Sequence, residues 1–245
     1  MSNNLDKAAD IIKNASYMVA FTGAGISVES GIPPFRGDDG IWSKYDPAIL
    51  ELSTYLEKPE TVWPVIRELF FKYFGTAKPN NAHIALASME QKGLLKGIIT
   101  QNIDNLHQEA GSTDVAEFHG NSKTFICTHN ASHVVSVNEV DFDRDYPHCP
   151  QCNHLTKPSF IFFGEAIPRE AFIKSEKHAQ ECDVMLIVGS TGEVVPASNI
   201  PWMAKRNGAT IIEVNPQPTT FTYNISDITL KGKAGEVLVQ LDALL

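Results

Sequence analysis

The residues with the most evident chemistry are polar or glycine-rich clusters that each follow an apolar run. The first is Gly23-Ala24-Gly25-Ile26-Ser27, continuing through Ser30-Gly31-Ile32-Pro33-Pro34 to Phe35-Arg36-Gly37. Glycines placed directly after a buried strand let the backbone turn tightly and approach a pyrophosphate. The following helix start can then offer its amide groups to that anion. An aromatic ring and a guanidinium just after two prolines suit the rings and phosphates of a dinucleotide. Phe35 is equally compatible with a place in the core. Val28 stands where the third glycine of a redox dinucleotide fingerprint belongs, so a dehydrogenase is disfavoured.

The second cluster is Gln101-Asn102-Ile103-Asp104. Helix capping by Asp104 accounts for one of its polar residues and leaves two. An amide-bearing ligand such as nicotinamide needs a donor and an acceptor side by side. Asp104 with a neighbouring backbone amide supplies them. His119-Gly120 ends a third apolar run. A neutral imidazole there can take a proton from a ribose hydroxyl. His107 reads as an ordinary helix residue. Gly189-Ser190-Thr191 and Asn215 end two further runs.

A separate polar segment holds Cys127, Cys149 and Cys152. Cys149-Pro150-Gln151-Cys152 has the spacing of a zinc knuckle. Its expected counterpart is broken, because Asn130 lies three residues after Cys127. Either His129 or His133 is available as a fourth ligand, with His133 the better spaced. The role of such a site is structural, since nothing suggests an open catalytic position. A degenerate site held by packing alone is the alternative.

These clusters need a scaffold that brings them together. Continuous apolar runs at residues 17–21, 97–100, 115–118, 182–188 and 209–214 read as buried strands. Residues 5–15, 82–91, 105–110 and 171–180 have helical spacing. Alternation of this kind predicts an α/β fold, a Rossmann-like parallel sheet with helices on both faces. Parallel strands put all five clusters along one edge, where such sheets bind ligands. Residues 41–75 are aromatic-rich, broken by Pro47, Pro59 and Pro64, and predict several short helices.

The chain has 245 residues, net charge −9 and 43% hydrophobic residues, which suits one large domain with inserted modules. The negative charge disfavours nucleic acid. It suits a basic peptide, or serves only solubility. No run is long enough to span a bilayer. The polar start, residues 1–10, is unlike a secretory signal, so a cytoplasmic protein is expected. Four cysteines do not make a secreted disulfide scaffold.

Over nearly its full length the chain resembles the bacterial-type sirtuins, NAD-dependent protein-lysine deacylases. The resemblance rests on Gly23-Ala24-Gly25-Ile26-Ser27, Ser30-Gly31-Ile32-Pro33 with Phe35-Arg36, and Thr100-Gln101-Asn102-Ile103-Asp104-Asn105-Leu106-His107. It continues with His119-Gly120, Phe163-Gly164-Glu165, Gly189-Ser190-Thr191 with Pro196-Ala197, and Asn215-Pro216. It implies a single catalytic domain. The core would comprise residues 1–37, 78–119 and 158–245, with a helical insert at 38–77 and a small zinc-ribbon-like module at 120–157.

The resemblance also implies site roles. NAD, consumed as co-substrate, would contact Gly23, Ala24, Gly25, Ile26, Ser27, Pro33, Phe35 and Arg36. Gly189, Ser190 and Thr191 would share its diphosphate, Asn215 and Pro216 its ribose, and Ala234 its adenine. Nicotinamide would sit with Gln101, Asn102, Ile103 and Asp104. His119 and Asn102 would be catalytic. Acyl-lysine would lie along Phe163, Gly164, Glu165 and Val194. Cys127, Cys149 and Cys152 would hold structural zinc. The expected partner is an acetylated lysine in a protein or peptide, with no nucleic acid and no membrane.

Departures from the family pattern narrow this. Pro34 replaces the usual acidic residue of the cofactor loop. The Tyr-x-x-Arg pair of desuccinylating members is replaced by Ile66 and Leu69, which predicts neutral acyl substrates. An NAD glycohydrolase or ADP-ribosyltransferase using the same pocket is the competing reading, and a non-catalytic NAD sensor a further one.

Overall fold

The computed structural model describes residues 2–35, 40–72 and 76–245. In chain order the strands are β1 (Met18–Thr22), β2 (Leu95–Thr100), β3 (Val115–Glu117), β4 (Thr124–Cys127), β5 (Val134–Ser136), β6 (Thr156–Pro158), β7 (Val184–Val188), β8 (Thr210–Asn215) and β9 (Ile228–Lys231). Six of them form one sheet in the order β3-β2-β1-β7-β8-β9, with every pairing parallel. From β1 the chain crosses to β2 on one side. From β7 it crosses to β8 on the other. The two connections diverge between β1 and β7, and sheets of this kind bind ligands at the carboxyl ends of their strands at such a point.

The sheet is central because its strands are apolar on both faces. All five residues of β1 are buried. Met18 and Ala20 point into one layer with Ile98, Leu186 and Ile212. That layer is covered by α1 (Ser2–Asn14) and two later helices, α4 (Asn81–Gln91) and α9 (Ala234–Ala243). Val19 and Phe21 point the other way, with Ile99, Met185, Ile187 and Ile211. There the cover is α6 (Arg169–Glu181), α7 (Asn199–Arg206) and α8 (Thr220–Asn224). The expected doubly covered parallel sheet is the one observed.

The segment between β1 and β2 carries short 3-10 turns, α2 (Leu52–Glu57), α3 (Pro59–Ile66) and a π turn over Arg67–Phe71. Strands β4, β5 and β6 make a separate antiparallel sheet in the order β5-β4-β6. An aromatic cluster joins these two parts. Trp63 stacks near Phe71, Phe125 and Phe142, and Phe70 near Phe160. The short helix α5 (Leu106–Glu109) follows β2. No described helix is long and apolar enough to cross a membrane.

Candidate active site

The turn after β1 is closed by direct backbone contact with the turn after β7. Gly23 N–H donates to Val188 O at 3.0 Å, and Gly25 N–H donates to Gly189 O at 2.9 Å. A Cβ on Gly25 would lie 2.7 Å from Gly189 Cα, and Gly189 itself has φ of 63°. Both positions therefore need glycine. The helix after this turn is a seven-residue 3-10 helix, Ala24–Ser30, not the α-helix of a redox dinucleotide fold.

Ser27 is the hub beneath it. Its hydroxyl donates to Asp104 Oδ2 at 2.7 Å and accepts from Asn102 Nδ2 at 3.0 Å. Asn102 Nδ2 also donates to Gly23 O at 3.2 Å. Asp104 Oδ1 accepts from Leu106 N–H at 3.0 Å, which occupies one oxygen at the helix start, although the N-cap position itself is Asn105. Burial pushes the Asp104 carboxyl above its ordinary value, while the Leu106 N–H and the Ser27 hydroxyl pull it back. Ile103 packs its side chain toward the aromatic cluster, and its carbonyl accepts from Ser122 Oγ at 2.8 Å.

The other strand ends meet this group. Gln101 Nε2 donates to Ser190 Oγ at 2.8 Å, and Asn215 Nδ2 donates to Ser190 O at 3.2 Å. Thr191 O accepts from the N–H of Thr220 at the start of α8. Pro216 follows Asn215 beyond β8, and Ala234 opens α9.

His119 Nδ1 lies 3.1 Å from Gln101 O. A carbonyl oxygen only accepts, so Nδ1 carries the proton and Nε2 keeps its lone pair. Burial lowers the His119 pKa from its ordinary value, and the bond to Gln101 partly restores it. The ring is therefore neutral at pH 7. His107 is fully buried, with Nε2 2.9 Å from Thr22 Oγ1, and burial holds its pKa far below the ordinary value.

Phe163 is pinned through its backbone. Its N–H donates to Leu50 O at 2.8 Å, and its carbonyl accepts from Leu52 N–H at 3.0 Å. The Phe163 side chain is 50% exposed. Glu165 Oε2 accepts from Phe162 N–H at 2.8 Å and pairs with Lys157 at 3.0 Å. Val194 O accepts from Ser198 N–H, and the next residue, Val195, is 70% exposed before a cis bond to Pro196.

The proline-rich end of the cofactor loop is partly described. Pro33 is half-buried, Pro34 O accepts from Ile41 N–H, and the Phe35 ring centroid lies 6.3 Å from that of Phe70. Phe35 thus packs against the aromatic cluster. Arg36 and Gly37 lie outside the described residues.

Away from the crevice, Cys127, His133, Cys149 and Cys152 bring one ligand atom each within 4.8 Å of one another. Cys127 Sγ and Cys152 Sγ are 3.5 Å apart, as are Cys149 Sγ and His133 Nδ1. Tetrahedral zinc with thiolate and imidazole ligands puts neighbouring donor atoms about 3.5–3.8 Å apart. Three thiols and one imidazole therefore fit zinc. His129 stacks on His154 instead, with centroids 4.1 Å apart. Antiparallel pairing of β4 and β5 carries His133 into the cluster: Cys127 N–H donates to His133 O.

Sequence reasoning passed over three polar residues beside the crevice. Asn80 caps α4 and reaches the 3-10 helix. Glu29 reaches the start of α9. His83 lies 3.5 Å from Ser27 Oγ, and burial lowers its pKa to about 4. The one available signal was Asn80 directly before a helical run.

Residues 23–196 match the Sir2 family. An NAD-dependent protein deacylase of Pyrococcus furiosus is 43% identical, over 97% of this chain and 96% of its own. An NAD-dependent protein deacetylase of Pyrobaculum aerophilum is 39% identical, over 98% and 94%. Among solved structures, a Sir2 homologue in complex with NAD superposes with a TM-score of 0.90 at 37% identity, covering 98% of this chain and 95% of that one. A Sir2 variant solved with a deacetylated p53 peptide and 3′-O-acetyl-ADP-ribose gives a TM-score of 0.92 at 34% identity, covering 97% and 96%.

Proposed function

This chain belongs to the Sir2 family, and from that membership we propose how its residues carry out NAD-dependent protein-lysine deacylation. NAD and an acyl-lysine protein are the substrates. Nicotinamide, free lysine and O-acyl-ADP-ribose are the products. NAD and an O-acetyl-ADP-ribose with peptide occur in solved relatives.

The diphosphate is assigned to Gly23, Ala24, Gly25, Ile26 and Ser27, with Gly189, Ser190 and Thr191 opposite. The close backbone contact of Gly25 with Gly189 supports treating both turns as one cradle. Asn215 and Pro216 are assigned to the adenosine ribose and Ala234 to the adenine. Pro33, Phe35 and Arg36 are assigned to the loop over the cofactor. Gln101, Asn102, Ile103 and Asp104 take the nicotinamide carboxamide. Asn102, held by Gly23 and Ser27, is assigned to orienting the reacting ribose.

The observation that carries the mechanism is the bond from His119 Nδ1 to Gln101 O. It leaves Nε2 as the base. The acyl oxygen attacks the anomeric carbon and the bond to nicotinamide breaks. His119 Nε2 then takes the proton of a ribose hydroxyl, and that oxygen attacks the acyl carbon. Water completes the release of lysine and the acyl ester. Holding both reactants in one site removes the entropic cost of bringing them together.

The peptide is assigned to Phe163, Gly164 and Glu165 on one side and Val194 on the other. Phe163 already spends both backbone groups on Leu50 and Leu52. Glu165 N–H is likewise used, donating to Phe162 O at 3.1 Å, so the peptide ladder on that side falls to Gly164 and the Glu165 carbonyl, with Phe163 contributing its exposed ring. Cys127, Cys149 and Cys152 with His133 hold a zinc ion that supplies folding stability to the small sheet. Four cysteines outside any disulfide suit a reducing compartment, and the cytoplasm is the assigned one.

Incubation with NAD and an acetyl-lysine peptide, followed by mass spectrometry, tests the reading. Deacetylated peptide, nicotinamide and O-acetyl-ADP-ribose are expected in equal amounts. Nicotinamide release that proceeds equally without peptide would instead identify an NAD glycohydrolase.

A further inference from the structure

Every cofactor contact assigned to the first turn depends on the position of the 3-10 helix Ala24–Ser30. A short 3-10 helix of this kind is not self-supporting. Two side chains from neighbouring elements hold it. Asn80 Nδ2 donates to Ile26 O at 2.7 Å and lies 2.9 Å from Ser30 Oγ. The same Asn80 uses Oδ1 to accept the Ala82 N–H at 2.8 Å, capping α4. At the far end, Glu29 Oε2 accepts the Gly235 N–H at 2.7 Å, across 206 residues of sequence. A Cβ on Gly235 would lie 2.9 Å from the Glu29 carboxylate, so glycine there makes room for the contact.

We propose that Asn80 and Glu29 are positioning residues that clamp the cofactor segment between the starts of α4 and α9, and so set the affinity for NAD. The proposal rests on the assignment of Ala24–Ser30 to the diphosphate. The clamp is asymmetric. Asn80 holds the middle of the segment by its amide donor. Glu29 ties the end of the segment to the helix that begins at Ala234, the residue assigned to the adenine. The two halves of the cofactor thus share one strut. A carboxylate at the start of a ten-residue helix is also electrostatically favourable.

The asparagine has two separable jobs, and a substitution can split them. Serine is a good N-cap but has no amide donor to reach Ile26 O. Asn80→Ser therefore keeps α4 capped and releases the clamp. Loss of two ordinary hydrogen bonds is expected to raise KM for NAD about tenfold and leave kcat within about threefold. The ADP-ribose-induced rise in Tm shrinks in parallel, while Tm without ligand stays near the wild-type value. Glu29→Ala raises KM for NAD by a smaller factor, and Glu29→Gln, which keeps an acceptor, largely restores it.

An Asn80→Ser protein with unchanged KM for NAD and unchanged ADP-ribose response overturns the proposal. So does a loss of unliganded Tm large enough to account for the kinetic defect. Gly25→Ala serves as the reference, because its Cβ meets Gly189 directly. If that variant also binds ADP-ribose normally, the diphosphate assignment itself is wrong. If Gly25→Ala loses binding and Asn80→Ser does not, only the clamp is wrong.

Discussion

His119 Nδ1 sits 3.1 Å from the carbonyl oxygen of Gln101, the first residue after β2. One backbone atom thereby fixes the tautomer of the proposed base. His119→Ala is expected to lower kcat/KM by about 10²–10⁴-fold, the usual contribution of a positioned general base. Nicotinamide–NAD exchange, which precedes the proton transfer, should be less affected. Steady-state deacylation and isotopic exchange measured on the same preparation check this. Deacylation at the wild-type rate would remove His119 from its role.

The pH profile should show the same environment. Burial lowers the His119 pKa, so the imidazole stays neutral to a lower pH than a free histidine. Activity is retained below the ordinary histidine value of about 6.5 and falls only as pH drops through the depressed value. An acid limb of kcat/KM lying above that ordinary value would contradict the burial argument.

Acyl preference follows from Ile66 and Leu69. Both are buried in the aromatic cluster with Phe160 and Phe162, and the adjoining Ile161 N–H donates to His119 O. On the proposed site, neither the Ile66 nor the Leu69 side chain offers a negatively charged acyl group a partner. Burying an unpaired carboxylate costs several kcal/mol, so succinyl-lysine should turn over at least about 100-fold more slowly than acetyl-lysine. Parallel assays of the two peptides decide it, and succinyl preference would refute it.

Zinc should be found bound in one equivalent, with an X-ray absorption signature of three sulfur ligands and one nitrogen. Removal by chelator should unfold the small sheet before the parallel sheet. His133→Ala should weaken zinc retention in a competition titration by about 10-fold or more. Introducing Asn130→Cys alongside His133→Ala should restore it, since a cysteine three residues after Cys127 completes a second knuckle pair. A His133→Ala protein with unchanged zinc affinity would show that three thiolates suffice.

Two buried histidines make stability depend on acid. Burial lowers His83 to about 4 and holds His107 well below its ordinary value. Between the unfolded value of about 6.5 and these depressed values, the unfolded chain binds protons that the native state does not. Stability is therefore full above about pH 6.5 and declines as pH falls, by up to about 1.4 kcal/mol per pH unit for each histidine. Urea unfolding at pH 7 and pH 5 measures the slope. Equal stability at both would mean that the two rings take up protons in the native state.

The strand-end clusters were legible because a buried parallel strand is a continuous apolar run, and its end is marked by the first polar residue. β1, β2, β7 and β8 announce themselves in this way. β9 does not: Ile228–Lys231 is an edge strand with only Leu230 buried, so its pattern is diluted. α7 is obscured by Pro201 near its start. Spacing favoured His133 over His129 as the fourth zinc ligand, but the β4–β5 hairpin that carries it to Cys127 is not written in the spacing. The clamp was harder still. Asn80 and Glu29 act through backbone groups of distant segments, and a carbonyl or amide has no identity in sequence.

Phe163 connects the substrate side to a part of the molecule that touches no reacting atom. Its amide and carbonyl are the rungs between Leu50 and Leu52 and the segment assigned to the peptide. The segment assigned to the peptide is therefore anchored by the insert that carries α2 and α3. Peptide and insert stand in mechanical series, like two leaves hung on one hinge pin. Substitutions that repack Trp63 or Phe71 will be felt on the peptide side through this anchor, whereas Phe70 also touches Phe35 of the cofactor loop and will disturb both sides.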